Sequence, residues 1–187
     1  MVDFLNKIIL NYFFTPIFLL LILIVILFQP TIFNSGTVLN SNKKIKSTFF
    51  NSKNENLLVF FGYVGCVDVC TPRLKEISEI YDELKNKIDI DFYFINLTDS
   101  ISDDIADIYV KNFNKNFNGI QLSKVDLENL KSDFNVFSIK SLTNEDELEH
   151  TSFLYYLKKE DNVYRIKKIF TASILDKIFV QNEILGL

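Results

Sequence analysis

Residues 57–72 read LLVFFGYVGCVDVCTP, an apolar run that passes into two cysteines and then into a helix signal. The run Leu57–Tyr63 is short and almost wholly apolar, which is typical of a central strand buried on both faces of a sheet. Thr71 is predicted to cap the helix, with Pro72 at its first position. Apolar residues then recur at intervals of three and four, as on one face of a helix: Leu74, Ile77, Tyr81 and Leu84.

The rest of the chain continues this alternation of strands and helices. A second strand is predicted over Asp91–Leu97, and Ser123 with Asp126 resembles the capping box that opens a helix. The other predicted elements are a helix from Ser102, two strands over 153–157 and 163–170 joined by a hairpin at 159–162, and a helix over 173–184. This order predicts an α/β fold, a thioredoxin-like central sheet flanked by helices, built from a βαβ half followed by a ββα half.

The N-terminal region has a different character. Ile8–Phe28 is apolar except at three positions and is long enough to cross a bilayer as a helix. The residues that follow lack the small-residue cleavage pattern of a signal peptide, so we favour an uncleaved anchor over residues 1–30. Residues 31–50 are expected to form a linker with a candidate hairpin, and residues 51–187 the domain. Basic residues flank the apolar segment on both sides, so charge alone leaves the orientation open.

Composition limits what the chain binds. Its net charge is −4 and no block of basic residues is interleaved with aromatic ones, which argues against a nucleic acid partner. The chain has two cysteines, Cys66 and Cys70, and one histidine, His150. These three side chains are nearly all that the sequence offers a soft metal. A domain of about 150 residues buries enough surface to fold without a metal, so a bound metal is expected to be functional.

The position of the cysteine pair suits two kinds of chemistry. Backbone N–H groups and the helix dipole at a strand–helix corner favour a thiolate, which is both a nucleophile and a ligand for soft metals. Cys66 and Cys70 are also close enough in sequence to form a disulfide. A purely structural disulfide is disfavoured, because closing so short a loop removes little entropy from the unfolded chain.

Three segments resemble the SCO/SenC family. The stretch VFFGYVGCVDVC, residues 59–70, resembles the family signature, in which an FGY-type strand runs into Cys-x-x-x-Cys with Asp in the middle. Residues 117–136 resemble the family's Leu-Thr-Gly segment and the helix after it. Residues 149–155, EHTSFLY, resemble its His-Ser/Thr approach to a strand. The chain departs from the family pattern at Val67, at Thr71-Pro72 and at residues 97–100.

The resemblance implies a thioredoxin-like fold in which Cys66, Cys70 and His150 bind a copper ion, Cu(I) or Cu(II). Asp68 matches the Asp of the motif. Either it supports the ligands without binding the metal, by orienting the turn or setting the local charge, or it is an ordinary turn residue. The resemblance also implies a metallochaperone or assembly factor for the CuA site of cytochrome c oxidase, with subunit II or another copper protein as client. It implies a single-pass protein of the bacterial inner membrane with its C-terminal domain in the periplasm or otherwise outside the cytoplasm.

The same residues leave alternatives open. Two thiolates and an imidazole suit Cu(I), whereas a structural zinc would need a fourth ligand. A thiol–disulfide oxidoreductase that keeps a client's copper-site cysteines reduced would use Cys66 and Cys70 as its redox pair. A general thioredoxin is disfavoured, because the chain has no Trp and no proline placed to lie against the cysteines. A peroxidase would need an activating arginine, and neither Arg73 nor Arg165 lies in a recognisable motif.

Overall fold

The structure is a computed structural model, and it describes residues 16–24, 38–46, 48–98, 102–141 and 148–187. The chain divides into two compact units, Met1–Ser35 and Gly36–Leu187. Most of the predicted membrane anchor lies outside the described residues, although residues 16–24 are helical. None of the helices in the described ranges has both the length and the apolar character that a membrane crossing requires.

A six-stranded sheet forms the centre of the larger unit in the described chain, in the order β1-β8-β7-β2-β3-β4. Its strands are β1 (Val38–Asn40), β2 (Asn56–Gly62), β3 (Ile90–Asn96), β4 (Asn118–Ile120), β7 (Leu154–Glu160) and β8 (Val163–Phe170). A separate antiparallel pair is formed by β5 (Ser138–Lys140) and β6 (Leu148–His150). The helices are α1 (Cys70–Leu84), α2 (Ile105–Lys111), α3 (Lys124–Phe134) and α4 (Lys177–Leu185).

The pairing of the strands confirms the predicted α/β order. Strands β2 and β3 are parallel and are joined through α1, which is the βαβ half. Strands β7 and β8 form an antiparallel hairpin that leads to α4, which is the ββα half. β2 lies between β3 and β7, and its residues from Leu57 onward are fully buried up to Phe61. Burial on both faces explains why this strand reads as a continuous apolar run.

One of the two predicted helix caps is present in the structure and the other is not. Ser123 caps α3 as predicted, and its hydroxyl accepts a hydrogen bond from the Asp126 N–H. α1 begins at Cys70 after Val69, so the prediction of Thr71 as its N-cap is wrong. Pro72 is tolerated there because the N–H groups of a helix's first turn have no partner within the helix. The consequence for the site is that Cys70 itself belongs to the helix.

The larger unit begins earlier than the expected boundary at residue 51. β1 pairs with β8, and Lys44 forms a further bridge with Arg165. Ile45 and Phe50 lie in the hydrophobic core. The part of 31–50 that the structure describes is therefore an edge of the sheet, and its strand pairs with β8 and not within a local hairpin. Its polar composition concealed this pairing, because an edge strand buries little of its surface.

Candidate metal centre

Cys66 and Cys70 lie at the corner where β2 passes into α1, as the sequence predicts. The chain turns at Gly65, whose φ of +94° is readily adopted by a residue without a Cβ. The Cys66 N–H then donates to the Tyr63 carbonyl at 3.2 Å. The Cys70 N–H, at the start of the helix, donates to Cys66 Sγ, also at 3.2 Å. The helix N-terminus is thus directed at the sulfur of Cys66, which stabilises a negative charge there.

His150 reaches this corner from the short β5–β6 pair. It is the last residue of β6 and lies opposite Ser138 of β5. Its Nε2 is 3.5 Å from Cys70 Sγ. One ligand atom from each of Cys66, Cys70 and His150 lies within 4.8 Å of the others. The structure therefore brings together three side chains that are up to 84 positions apart, from Cys66 to His150.

The imidazole is oriented for ligation. Nδ1 of His150 is 3.1 Å from the Thr151 carbonyl, so this nitrogen donates its proton to the backbone. Whenever the ring is neutral, its lone pair therefore lies on Nε2, the nitrogen that faces the cysteine. The ring also meets the Tyr63 ring edge-on, with 5.8 Å between the centroids. Tyr63 thus packs between the cysteine turn and the strand that carries His150.

The two thiols differ in their readiness to ionise. Hydrogen bonding from the Cys70 side chain lowers the pKa of Cys66 well below its usual range, in opposition to burial, and His150 adds to the lowering. The Cys66 thiolate in turn raises the pKa of Cys70, together with burial of that thiol. Without metal the pair therefore holds one thiolate and one thiol. A cation bound by both sulfurs would displace the remaining proton from Cys70.

Gly62 is a residue of the site that sequence reasoning did not identify. A Cβ at this position would lie 2.9 Å from Cys70 Sγ and 2.8 Å from Phe94 Cε2. Both neighbours are fully buried, so neither has free space to move into. The absence of a Cβ at Gly62 therefore allows the sulfur of Cys70 to pack directly against the sheet. A glycine within a buried strand is the signal that points to such a close approach.

The structure places the other candidate residues away from the cluster or leaves their role open. Asp68 is exposed on the loop between the cysteines and has no hydrogen bond or ion pair to another described residue. Its role outside the ligand set stays a prediction. Arg73 is 4% exposed, and its guanidinium donates to the carbonyls of Ala172 and Ser173 and pairs with Glu76. These contacts tie α1 to the segment before α4, which is a structural use of the arginine.

The donor set fits one ion class better than others. Two sulfurs and one imidazole nitrogen match the preference of Cu(I), which is soft and accepts a low coordination number. A structural zinc ion normally has four ligands, so these three side chains would leave one coordination position of zinc unfilled. Among the described residues, no other group of three or more His, Cys, Asp or Glu side chains is arranged to hold a metal.

Comparison with known proteins gives consistent matches. The model of the family described as SCO1/SenC matches residues 39–175. An SCO2-like protein from Rickettsia conorii is 30% identical over 157 residues, which cover 80% of this chain and 72% of that protein.

Solved structures match over a similar share of the chain. Arabidopsis thaliana ScoI with copper bound aligns with a TM-score of 0.62 at 17% identity, over 81% of this chain and 99% of that one. BsSco, a member of the Sco family of cytochrome c oxidase assembly proteins with an identified disulfide switch, aligns with a TM-score of 0.55 at 14% identity, over 81% of this chain and 91% of that one. The chain has the α/β, thioredoxin-like fold of these structures.

Proposed function

Since the chain belongs to the SCO1/SenC family, we propose that it binds one copper ion through Cys66, Cys70 and His150 and supplies that ion to the CuA site of cytochrome c oxidase. One observation carries the proposal: the three ligand atoms converge to within 4.8 Å of one another. The ion is cargo, because the domain buries a large core and does not need a metal to fold.

The chain's own residues divide the work of binding. Cys66 is the ligand that is already ionised, since the start of α1 and the neighbouring thiol stabilise its charge. Cys70 is the ligand that must lose a proton as the ion enters, so uptake releases a proton and is favoured by higher pH. His150 supplies an imidazole nitrogen whose orientation is held by the hydrogen bond of Nδ1 to the Thr151 carbonyl. Because Cys70 is fully buried and Cys66 is nearly so, transfer requires a client ligand to reach sulfurs that are shielded from solvent.

A second candidate function rests on the unequal thiols. As a thiol–disulfide reductase, the Cys66 thiolate would attack one sulfur of a client disulfide, form a mixed disulfide and release the client's other sulfur as a thiol. Cys70, after losing its proton, would attack Cys66 and release the reduced client. The two electrons come from the cysteine pair, which ends as a Cys66–Cys70 disulfide. Both cysteines are free in the structure, and BsSco is described as containing a disulfide switch.

The proposal includes a location. The apolar segment Ile8–Phe28 supports a single membrane anchor within residues 1–30, in a bacterial inner membrane. The copper-binding domain would then lie in the periplasm or otherwise outside the cytoplasm, where the CuA site of the oxidase is assembled. The residues between the anchor and Val38 would then lead into the first strand of the domain.

A transfer experiment separates the two functions. The full chain in detergent, reduced and loaded with Cu(I), is mixed with the soluble CuA domain of oxidase subunit II whose cysteines are reduced. We expect copper to appear on the client, because only the metal is missing there. In a parallel reaction the copper-free reduced chain meets the client in its disulfide form. Rapid reduction there, together with no copper transfer in the first reaction, would contradict delivery and establish the reductase.

A further inference from the structure

Asn96, the last residue of β3, has a buried side-chain amide in which every hydrogen-bond donor and acceptor has a partner. Its exposed fraction is 1%, in a core that is otherwise almost entirely apolar. Oδ1 accepts hydrogen bonds from the Val64 N–H at 3.1 Å and from the Thr98 hydroxyl at 3.0 Å. Nδ2 donates to the Thr98 carbonyl at 3.2 Å and to Gln121 Oε1 at 2.7 Å. All the hydrogen-bonding capacity of the amide is therefore satisfied.

One of these bonds lies at the point where the cysteine corner leaves the sheet. The parallel ladder between β2 and β3 closes with the Leu97 N–H donating to the Gly62 carbonyl at 2.7 Å. Beyond that bond the Val64 N–H donates to the side chain of Asn96 and not to a strand carbonyl. Cys66 follows only two residues later, after the turn at Gly65. The amide oxygen of Asn96 thus fixes the backbone from which the first sulfur projects.

We propose that Asn96 is a positioning residue of the metal centre, holding the Val64–Gly65 turn so that Cys66 Sγ meets Cys70 and His150. It acts through the backbone, since its described contacts are with Val64, Thr98 and Gln121 and not with the sulfurs. If the acceptor is removed, the partly buried N–H of Val64 loses its partner and the turn relaxes towards water. Partners that orient metal ligands typically affect affinity strongly for this reason. The inference deepens the proposed copper function and rests on it.

The network offers its own control, because its two arms are chemically separable. Oδ1 of Asn96 holds the turn, whereas Nδ2 connects β3 to Gln121, which also donates to the Thr98 carbonyl at 2.9 Å. Asn96→Leu keeps the approximate shape of the side chain and removes both arms. Gln121→Met removes the second arm and leaves the Val64 bond in place. If Asn96 only stabilised the fold, Asn96→Leu and Gln121→Met would change Cu(I) affinity to the same extent.

The test measures Cu(I) affinity of the full chain in detergent by competition with a chromogenic Cu(I) chelator. Asn96→Leu is expected to weaken Cu(I) binding roughly 10-fold or more. Gln121→Met is expected to lower the melting temperature with far less effect on affinity. Equal losses in the two variants, or an unchanged affinity in Asn96→Leu, would overturn the proposal.

A second measurement needs neither copper nor a variant. In the metal-free, unmodified chain, amide hydrogen exchange should show the Val64 N–H protected to an extent similar to that of the Leu97 N–H in the ladder. Exchange at the rate of an exposed loop would overturn the proposed role of Asn96. If the unmodified chain binds no Cu(I), the proposed function fails, whereas protection at Val64 still decides whether Asn96 holds the turn.

Discussion

Replacing Cys70 with serine is expected to abolish tight Cu(I) binding by the reduced chain. Cys70 Sγ is fully buried, lies 3.5 Å from His150 Nε2 and belongs to the cluster of three ligand atoms. A serine hydroxyl is a hard, protonated donor and does not replace a thiolate for a soft cation. The loss should exceed the roughly 100-fold upper range seen when only a partner of a ligand is removed. Competition with a chromogenic Cu(I) chelator measures it.

The matched control for this variant is Val67→Ala. Val67 lies in the same loop, between the two cysteines, and is 71% exposed, so shortening it removes no buried contact. The control should bind Cu(I) as the unmodified chain does. Cys66→Ser should also abolish tight Cu(I) binding, because it too removes a sulfur ligand. Its hydroxyl can still accept the N–H of residue 70, so the corner is expected to remain folded. A serine variant at either cysteine that keeps tight binding would show that the metal lies elsewhere.

A methyl group added at Gly62 is expected to damage the site without removing any ligand. In Gly62→Ala the new Cβ would lie 2.9 Å from Cys70 Sγ, 2.8 Å from Phe94 Cε2 and 3.2 Å from Phe60 Cε1. All three neighbours are fully buried, so the overpacking should cost about 1–3 kcal/mol of the free energy of unfolding. The sulfur is displaced in the process. We therefore expect Cu(I) affinity to fall together with the melting temperature.

Gly186→Ala separates these two effects. Gly186 ends α4 with a φ of +74°, and a Cβ there would have no heavy atom within 4 Å. Alanine in this conformation should cost about 1 kcal/mol in stability through backbone strain alone. Because Gly186 ends α4 and not the cysteine corner, Cu(I) affinity should stay unchanged in this variant. If Gly62→Ala likewise loses stability but keeps the affinity of the unmodified chain, Cys70 Sγ is not held in place by this contact.

The strand–turn–helix corner can be predicted from the sequence because its signals are local. A short apolar run identifies the buried strand β2, and apolar residues at helical spacing identify α1. The Ser123 cap is equally readable, since its hydrogen bond joins residues only three positions apart. These local signals are enough to place both cysteines at the corner. What they do not give is the contact between the corner and a distant residue.

The contact of His150 with the cysteines has no local signal, although composition and the resemblance to a family both single out His150 as a ligand. It depends on β5 and β6, which have three residues each and show no clear alternation of apolar and polar side chains. Strands this short carry too little pattern to be recognised. The roles of Gly62 and Asn96 were hidden for a related reason. Each becomes visible only once β2, β3 and α1 are packed together, because the atoms that meet are distant in sequence.

X-ray absorption at the copper edge tests the central claim most directly. The reduced full chain, loaded with one equivalent of Cu(I), should show a first shell of two sulfurs and one nitrogen. His150→Ala should remove the nitrogen contribution and leave both sulfurs, because the cysteines are positioned by β2 and α1 independently of β6. A first shell without sulfur, or a nitrogen contribution that persists unchanged in His150→Ala, would contradict a copper centre formed by Cys66, Cys70 and His150.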